Sequence, residues 1–206
     1  MGRYSEYFQD IWKLQANRKV LGLTLFGVLF DNSKPFTPGN QLEIAEGADK
    51  AIQLLTQKGY DFVITMLPHA GQHGHHKTAV LMGLRAVKRF KGAKKPIIIA
   101  GSPMTLSSKP IDFTELAGFP ETKIKSGAPT FTLNRAFRFK ENDKLSYKIV
   151  ADWVISAYKS QGAIQENAIH KTDLETYRYF DINDAAGISQ VEKLFRDLAK
   201  SGFPAP

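Results

Sequence analysis

Four of the five histidines, His69, His73, His75 and His76, crowd into Pro68-His69-Ala70-Gly71-Gln72-His73-Gly74-His75-His76. Imidazoles this close together can share a transition metal, exchange protons near neutral pH, or contact phosphate when charged. No cysteine accompanies them, and a polar, glycine-rich loop is the plain structural alternative. Directly downstream, Lys77, Arg85, Lys88, Arg89, Lys91, Lys94 and Lys95 form the densest basic stretch of the chain. Such a stretch can neutralise the phosphates of a polynucleotide or meet an acidic protein surface in an assembly.

Composition points the same way. Lys and Arg number 28 against 20 Asp and Glu, a formal charge of +8, so long-range attraction favours an acidic or phosphate-rich partner, either nucleic acid or a protein assembly. A solvated basic surface is the alternative. Tyr and Phe residues are scattered rather than grouped into stacking motifs, so base-specific readout is not expected. The absence of cysteine excludes disulfide frameworks, zinc ribbons and cysteine nucleophiles. No apolar run approaches the roughly 20 residues that span a bilayer, and the first residues lack the apolar centre of a secretory signal. The expectation is a cytoplasmic protein with no membrane partner.

A sheet with flanking helices must position these groups. With 206 residues, 43% of them hydrophobic, the chain suits one α/β domain, residues 20–206, behind an N-terminal extension, residues 1–19. Tyr7, Phe8, Ile11, Trp12 and Leu14 predict a leading helix over Tyr4–Ala16, and the apolar run Val20–Phe30 predicts a first core strand. A turn-rich loop, Asp31–Asn40, leads to a helix over Leu42–Lys58, with Ile44, Ala48, Ala51, Ile52, Leu54 and Leu55 on its apolar stripe and Gly59 in the favoured position after its end. Strands are expected at Asp61–Met66, Ile97–Ala100, Thr130–Phe139 and Tyr177–Ile182. Helices are expected at Thr78–Phe90, Leu145–Ser160 and Ile188–Lys200. Residues 104–129, rich in Pro, Gly, Ser and Thr, read as an irregular insertion. Strands alternating with helices predict a mostly parallel sheet.

Five signals follow one another in order: the segment Thr24-Leu25-Phe26-Gly27-Val28-Leu29-Phe30-Asp31, a helix ending in Gly59-Tyr60, a strand ending in Thr65, a later Lys144, and the acidic strand end Tyr179-Phe180-Asp181-Ile182-Asn183-Asp184. From Val20 onward this order resembles the haloacid dehalogenase (HAD) phosphatase superfamily, and the Lys and Asp segments look most like the phosphatase half of polynucleotide end-healing enzymes. The resemblance implies a HAD-like Rossmannoid fold, with Thr65 and Lys144 binding phosphate, Lys140 close behind, and Asp181 and Asp184 as metal ligands. The family's first strand ends in Asp-x-Asp-Gly-(Thr/Val), and here Thr24 and Phe26 replace both acids. In relatives the first Asp attacks phosphorus and the second transfers the proton. A threonine hydroxyl without a base is a poor nucleophile and a phenyl ring transfers no proton.

The resemblance therefore implies a catalytically degenerate protein, a pseudoenzyme that binds a phosphorylated ligand or a macromolecular partner, including as a structural subunit. The alternative is a divergent Mg2+-dependent phosphohydrolase acting on nucleotides or nucleic-acid ends. Mg2+ is the one cofactor the resemblance suggests, and only for an active enzyme. Each residue also has an ordinary structural role open to it: Thr24 as a strand residue, Thr65 as a helix cap, Lys144 as a surface charge, and Asp181 as a cap of the last helix.

Overall fold

The computed structural model describes residues 20–22, 41–72, 74–104, 109–138, 144–157 and 172–201. The expected leading helix and most of the expected first strand, with Thr24 and Phe26, lie outside those residues. What is described of that strand is β1, Val20–Gly22. It is followed by helix α1, Gln41–Lys58, strand β2, Phe62–Met66, helix α2, Gly74–Arg89, and strand β3, Ile97–Met104. Then come strand β4, Phe131–Asn134, helix α3, Tyr147–Ala157, strand β5, Leu174–Tyr179, and helix α4, Gly187–Ser201.

The five strands form one sheet in the order β1-β2-β3-β5-β4. β1, β2 and β3 run parallel, joined by helices as the alternating pattern predicts. The expectation of a mostly parallel sheet is corrected at β5, which pairs antiparallel with both β3 and β4, so two of the four pairings are antiparallel. Nothing in an apolar run encodes its direction, and a strand buried on both faces reads the same either way.

Side-chain alternation splits the core between the two faces. On one face Val63, Ile98 and Ala100 meet Ala48, Ala51 and Leu55 of α1 and Val80, Leu84 and Val87 of α2. On the other, Phe62, Ile97, Ile99, Phe131, Leu133, Tyr177 and Tyr179 meet Val191, Leu194, Phe195 and Leu198 of α4. The residues of α4 recur at three- and four-residue steps, as one helix face requires. Phe195 stacks on Phe131 at 5.5 Å and tilts against Tyr177 at 4.9 Å. Each fully buried Leu or Phe of this kind contributes about 1.5–3 kcal/mol, so the three layers hold together chiefly by these two apolar seams.

Element ends show where sequence pattern and structure part. Helix α1 stops where expected: Gly59 adopts φ 60°, and its N–H donates to Leu55 O at 3.0 Å, closing the last turn in a conformation that favours glycine. Helix α2 begins at Gly74, four residues before the predicted Thr78, and so takes up His75, His76 and Lys77. The apolar stripe starts only at Val80, and polar residues in a first turn leave no periodic trace. β3 runs on to Met104, beyond the predicted Ala100, because β5 pairs with it from Ile99 through Met104. β5 itself ends at Tyr179 instead of Ile182. β4 is confined to Phe131–Asn134 within the predicted Thr130–Phe139.

The irregular excursion after β3 is packed down rather than loose where it is described. Phe113 and Thr122 are buried, the Thr122 hydroxyl donates to Phe119 O at 2.7 Å and accepts from Leu116 N at 2.8 Å, and Ile124 bridges to Phe180. Asn183 then closes the turn after β5. Its Oδ1 accepts from Ile98 N at 3.0 Å, and its Nδ2 donates to Ile98 O at 2.7 Å and to Phe180 O at 3.0 Å, all in buried positions. One side chain thus continues the backbone ladder of β3. Asn183→Ala leaves the Ile98 N–H and C=O without these partners and should cost about 2–4 kcal/mol. Urea unfolding followed by circular dichroism checks this, and a loss below that of an exposed control such as Ser189→Ala would contradict the assigned role.

Candidate functional site

Because β1, β2, β3 and β4 all point one way, the sheet has a carboxyl edge and an amino edge, and polar side chains gather at both. The residues singled out in the sequence divide between them. Thr65 lies in β2, buried, with its hydroxyl shared between Ile99 O and Met66 O, each at 3.3 Å. It is a strand residue whose hydroxyl is used inside the sheet, so the helix-cap alternative does not hold. Lys144 is exposed ahead of α3, whose first turn is tied to the end of β4 by Lys148 N donating to Arg135 O at 2.8 Å. Both therefore belong to the carboxyl side. Lys140 lies outside the described residues.

Asp181 and Asp184 lie on the opposite side. β5 runs antiparallel to β3, with Leu174 beside Met104 and Tyr179 beside Ile99, so the chain after Tyr179 emerges at the amino edge. The eight residues of β3 separate the two edges by on the order of 20 Å, several times the width of a phosphate group. The structure thus does not bring Lys144 and Asp181 together around one ligand.

Nor do the two aspartates fit a Mg2+ site. The Asp181 carboxylate receives Lys125 Nζ at 3.0 Å, so a cation already occupies one of its oxygens, and Mg2+ needs an octahedron of hard oxygen donors. Among the described residues no group of three or more His, Asp or Glu could hold a metal ion. Asp184 is exposed, and its carbonyl, not its carboxylate, accepts from the Tyr179 hydroxyl at 2.6 Å and from Gly187 N at 3.0 Å. A side chain at position 187 would strike that hydroxyl, so glycine is required where the chain turns into α4.

The histidine-rich segment sits at the carboxyl edge. His69 is half-buried in the turn after β2, where Gln72 N donates to His69 O at 2.9 Å. His76, in the first turn of α2, places Nδ1 3.0 Å from Gln72 Oε1. His73 lies outside the described residues, and of His75 only the helical backbone is described. Lys77 Nζ donates to Ala70 O at 3.1 Å and helps hold the turn against the helix. The segment is therefore part turn and part helix, rather than one loop.

The basic stretch resolves into two kinds of residue. Arg85 pairs with Glu121 of the excursion at 2.9 Å, and Arg89 pairs with Asp49 of α1 at 2.7 Å. These two tie elements together. Lys88 and Lys91 are exposed where α2 ends, Lys94 pairs with Asp61 while remaining 69% exposed, and Lys95 Nζ donates to Ile182 O at 3.2 Å. Sequence reasoning missed that Lys123 and Lys125 join them. Lys125 N donates to Tyr179 O and Asp181 N to Lys123 O, both at 2.8 Å, which brings the excursion beside the turn after β5. Six lysines, Lys88, Lys91, Lys94, Lys95, Lys123 and Lys125, thereby converge on the amino edge against Asp61, Asp181, Asp184 and Glu115, the last set beside Lys123 by Ile124 N donating to Thr114 O. The signal for Lys123 and Lys125 was their charge; the fold supplied the proximity.

A second unpredicted cluster lies toward the carboxyl edge, on the α4 face. Arg135 is buried; its Nε donates to Glu175 Oε1 at 2.7 Å, Nη2 donates to the same oxygen, and Nη1 donates to Thr172 Oγ1. The Tyr177 hydroxyl donates to Glu175 Oε2. Lys148 and Asp173 pair alongside at 2.8 Å. This network satisfies its own charges, which suits a structural clamp between β4, β5 and α3 better than a ligand site.

Burial first, and then the Glu175 charge and hydrogen bond, push the Tyr177 phenol well above its ordinary 10, against the opposing pull of Arg135. Burial and the nearby Asp184 push Tyr179 up to about 12. Folding therefore retains both phenolic protons. Their contribution is intact below pH 10, where the unfolded chain also keeps the protons, and is lost as pH rises above 10, for Tyr179 through about 12, because only the unfolded chain releases them readily there. Titration at the phenolate absorbance should show two tyrosines that ionise only as the fold is lost, and Tyr177→Phe should remove one of them. Ordinary titration of all seven tyrosines near pH 10 would contradict this assignment.

Comparison with protein-family models, with curated proteins and with solved structures finds no match to this chain.

Proposed function

We propose that this chain works by binding a phosphate-rich or acidic partner through the cationic amino edge of its sheet, and does not hydrolyse phosphate esters. The observation that carries this reading is the convergence of lysines from the α2–β3 connection and from the excursion onto one edge, with fewer acidic residues among them. Clustered exposed lysines attract anions over distances of about 10 Å at moderate salt and gain counterion release when they meet a chain of phosphates. The opposite division of Lys144 and Asp181 supports the non-catalytic side of the reading, because phosphoryl transfer needs its charge-stabilising groups around a single phosphorus.

A degenerate HAD-like ancestry is compatible with the parallel β1-α1-β2-α2-β3 half of the fold and with the replacement of both acids by Thr24 and Phe26. The binding reading does not depend on it. Here the ligand is defined by charge, and the residues that meet it are those of the rim rather than Thr65 and Lys144.

Immobilised polyphosphate should retain the chain at low salt and release it as salt rises. The triple variant Lys88→Glu/Lys91→Glu/Lys123→Glu should bind roughly tenfold or more weakly, since each reversal replaces an attraction with a repulsion, while its circular dichroism is unchanged. Equal retention of the variant would sink the proposal. With Mg2+ and either a simple phosphomonoester or a 3′-phosphorylated oligonucleotide we expect no turnover. Turnover abolished by Asp181→Asn would favour the divergent phosphohydrolase instead.

A further inference from the structure

We infer that the ligand of this rim is the sugar-phosphate backbone of double-stranded nucleic acid, held without reading its bases; the inference rests on the polyanion-binding reading above. The positions of the cations argue for a ligand with a row of charges. Lys88 lies in the last turn of α2, Lys91, Lys94 and Lys95 occupy the connection into β3, and Lys123 and Lys125 lie beside the chain leaving β5. β2, β3 and β5 are neighbours in the sheet, with strand ends about 4.8 Å apart, so the amines are spread over on the order of 10 Å before the reach of the lysine stems is added. A lone phosphate engages one or two of them. Successive phosphates of a duplex engage several at once and release a counterion for each.

Residue type narrows the class further. The rim uses lysines, compact hydrated charges on flexible stems. Lys94 and Lys125 are paired with Asp61 and Asp181 as Arg85 and Arg89 are with Glu121 and Asp49, which leaves Lys88, Lys91 and Lys123 as its exposed charges without an ion pair among the described residues. Backbone contact needs charge rather than the planar fork that reads guanine edges. Single strands are gripped by exposed rings on which bases stack, but among the described residues Tyr60, Phe90 and Phe180, which lie beside the rim, are packed into the core. Protein partners are anchored by buried aromatic and apolar residues. Leu54, one turn before the end of α1, is the one large apolar side chain exposed near the rim among the described residues.

Fluorescence anisotropy with a labelled mixed-sequence duplex of about 20 base pairs tests this, and the slope of log affinity against log salt should be about −3.6, for roughly four phosphate contacts, whatever the sequence. Lys88→Ala/Lys91→Ala/Lys123→Ala should make the slope shallower by about 0.9 for each lysine that meets a phosphate. Lys144→Ala, on the opposite side of the sheet, should leave it unchanged. Tighter binding of a single strand of equal length overturns the duplex assignment. Competition by polyglutamate as effective as competition by unlabelled duplex assigns the rim to an acidic protein and overturns the inference, while the polyanion-binding reading stands. Failure to bind duplex, polyphosphate and polyglutamate alike overturns both. A slope reduced as much by Lys144→Ala as by the triple variant overturns the location.

Discussion

The antiparallel pairing of β5 with β3 governs the rest of this structure. From Met104 beside Leu174 to Ile99 beside Tyr179, the pairing fixes which end of the sheet receives the chain after β5. Phe180 is then buried against the α1 and α2 face, Asn183 reaches the backbone of Ile98, and α4 has to return along the opposite face, where it buries Val191, Leu194 and Leu198. A parallel β5 would deliver Asp181 and Asp184 to the carboxyl edge, near His69 and Lys144. The observed direction delivers them to Lys125 and Lys123 instead.

The same pairing explains the clamp between β4 and β5. Residues 131, 133 and 135 alternate onto the face that also carries 175, 177 and 179, and the antiparallel register sets Leu133 beside Glu175. Arg135 therefore meets Glu175 across the strands, and Tyr177 shares that carboxylate from two positions along β5. Removing Arg135 from so enclosed a pair would leave Glu175 with an uncompensated charge. Breaking buried pairs in that way commonly costs about 3–5 kcal/mol, although replacing both partners together need cost little. The network reads as a device that fixes register, because a slip of one residue would carry Glu175 to the other face.

Much of the architecture was legible in the residues. The stripe of α1, apart from Leu54, which is exposed, its glycine stop and the α4 repeat carry the helical period, while the runs of β2 and β3 read as strands from their shortness and β-branched residues. What was not legible is non-local. Strand direction at β5 depends on partners 70 or more residues away, as with Ser102 and Thr176, and no local pattern encodes it. For the same reason Lys144 and Asp181 were expected around one ligand and lie across the sheet from each other, while Lys123 and Lys125, unremarkable in sequence, fall beside Lys95. Arg135, Glu175 and Tyr177 form an obvious cluster only once register is known.

A competing account of the basic edge is that its charges simply complement helix dipoles. α1 and α2 both end there, so their carbonyl ends present partial negative charge, and Lys58, Lys88 and Arg89 occupy their last turns. That interaction is worth about 0.3–1 kcal/mol per exposed charge and fades beyond the terminal turn. It accounts for those three residues and stops there. Lys91, Lys94 and Lys95 lie past the end of α2, and Lys123 and Lys125 belong to an excursion that contains no α-helix among its described residues. Two of these five are offset by aspartates, Lys94 by Asp61 and Lys125 by Asp181, yet the local balance stays positive and the amines repel one another across adjacent loops. Those two ion pairs and the Lys95 hydrogen bond to Ile182 O offset the repulsion only in part, whereas a partner that carries the opposite charge turns what remains into affinity.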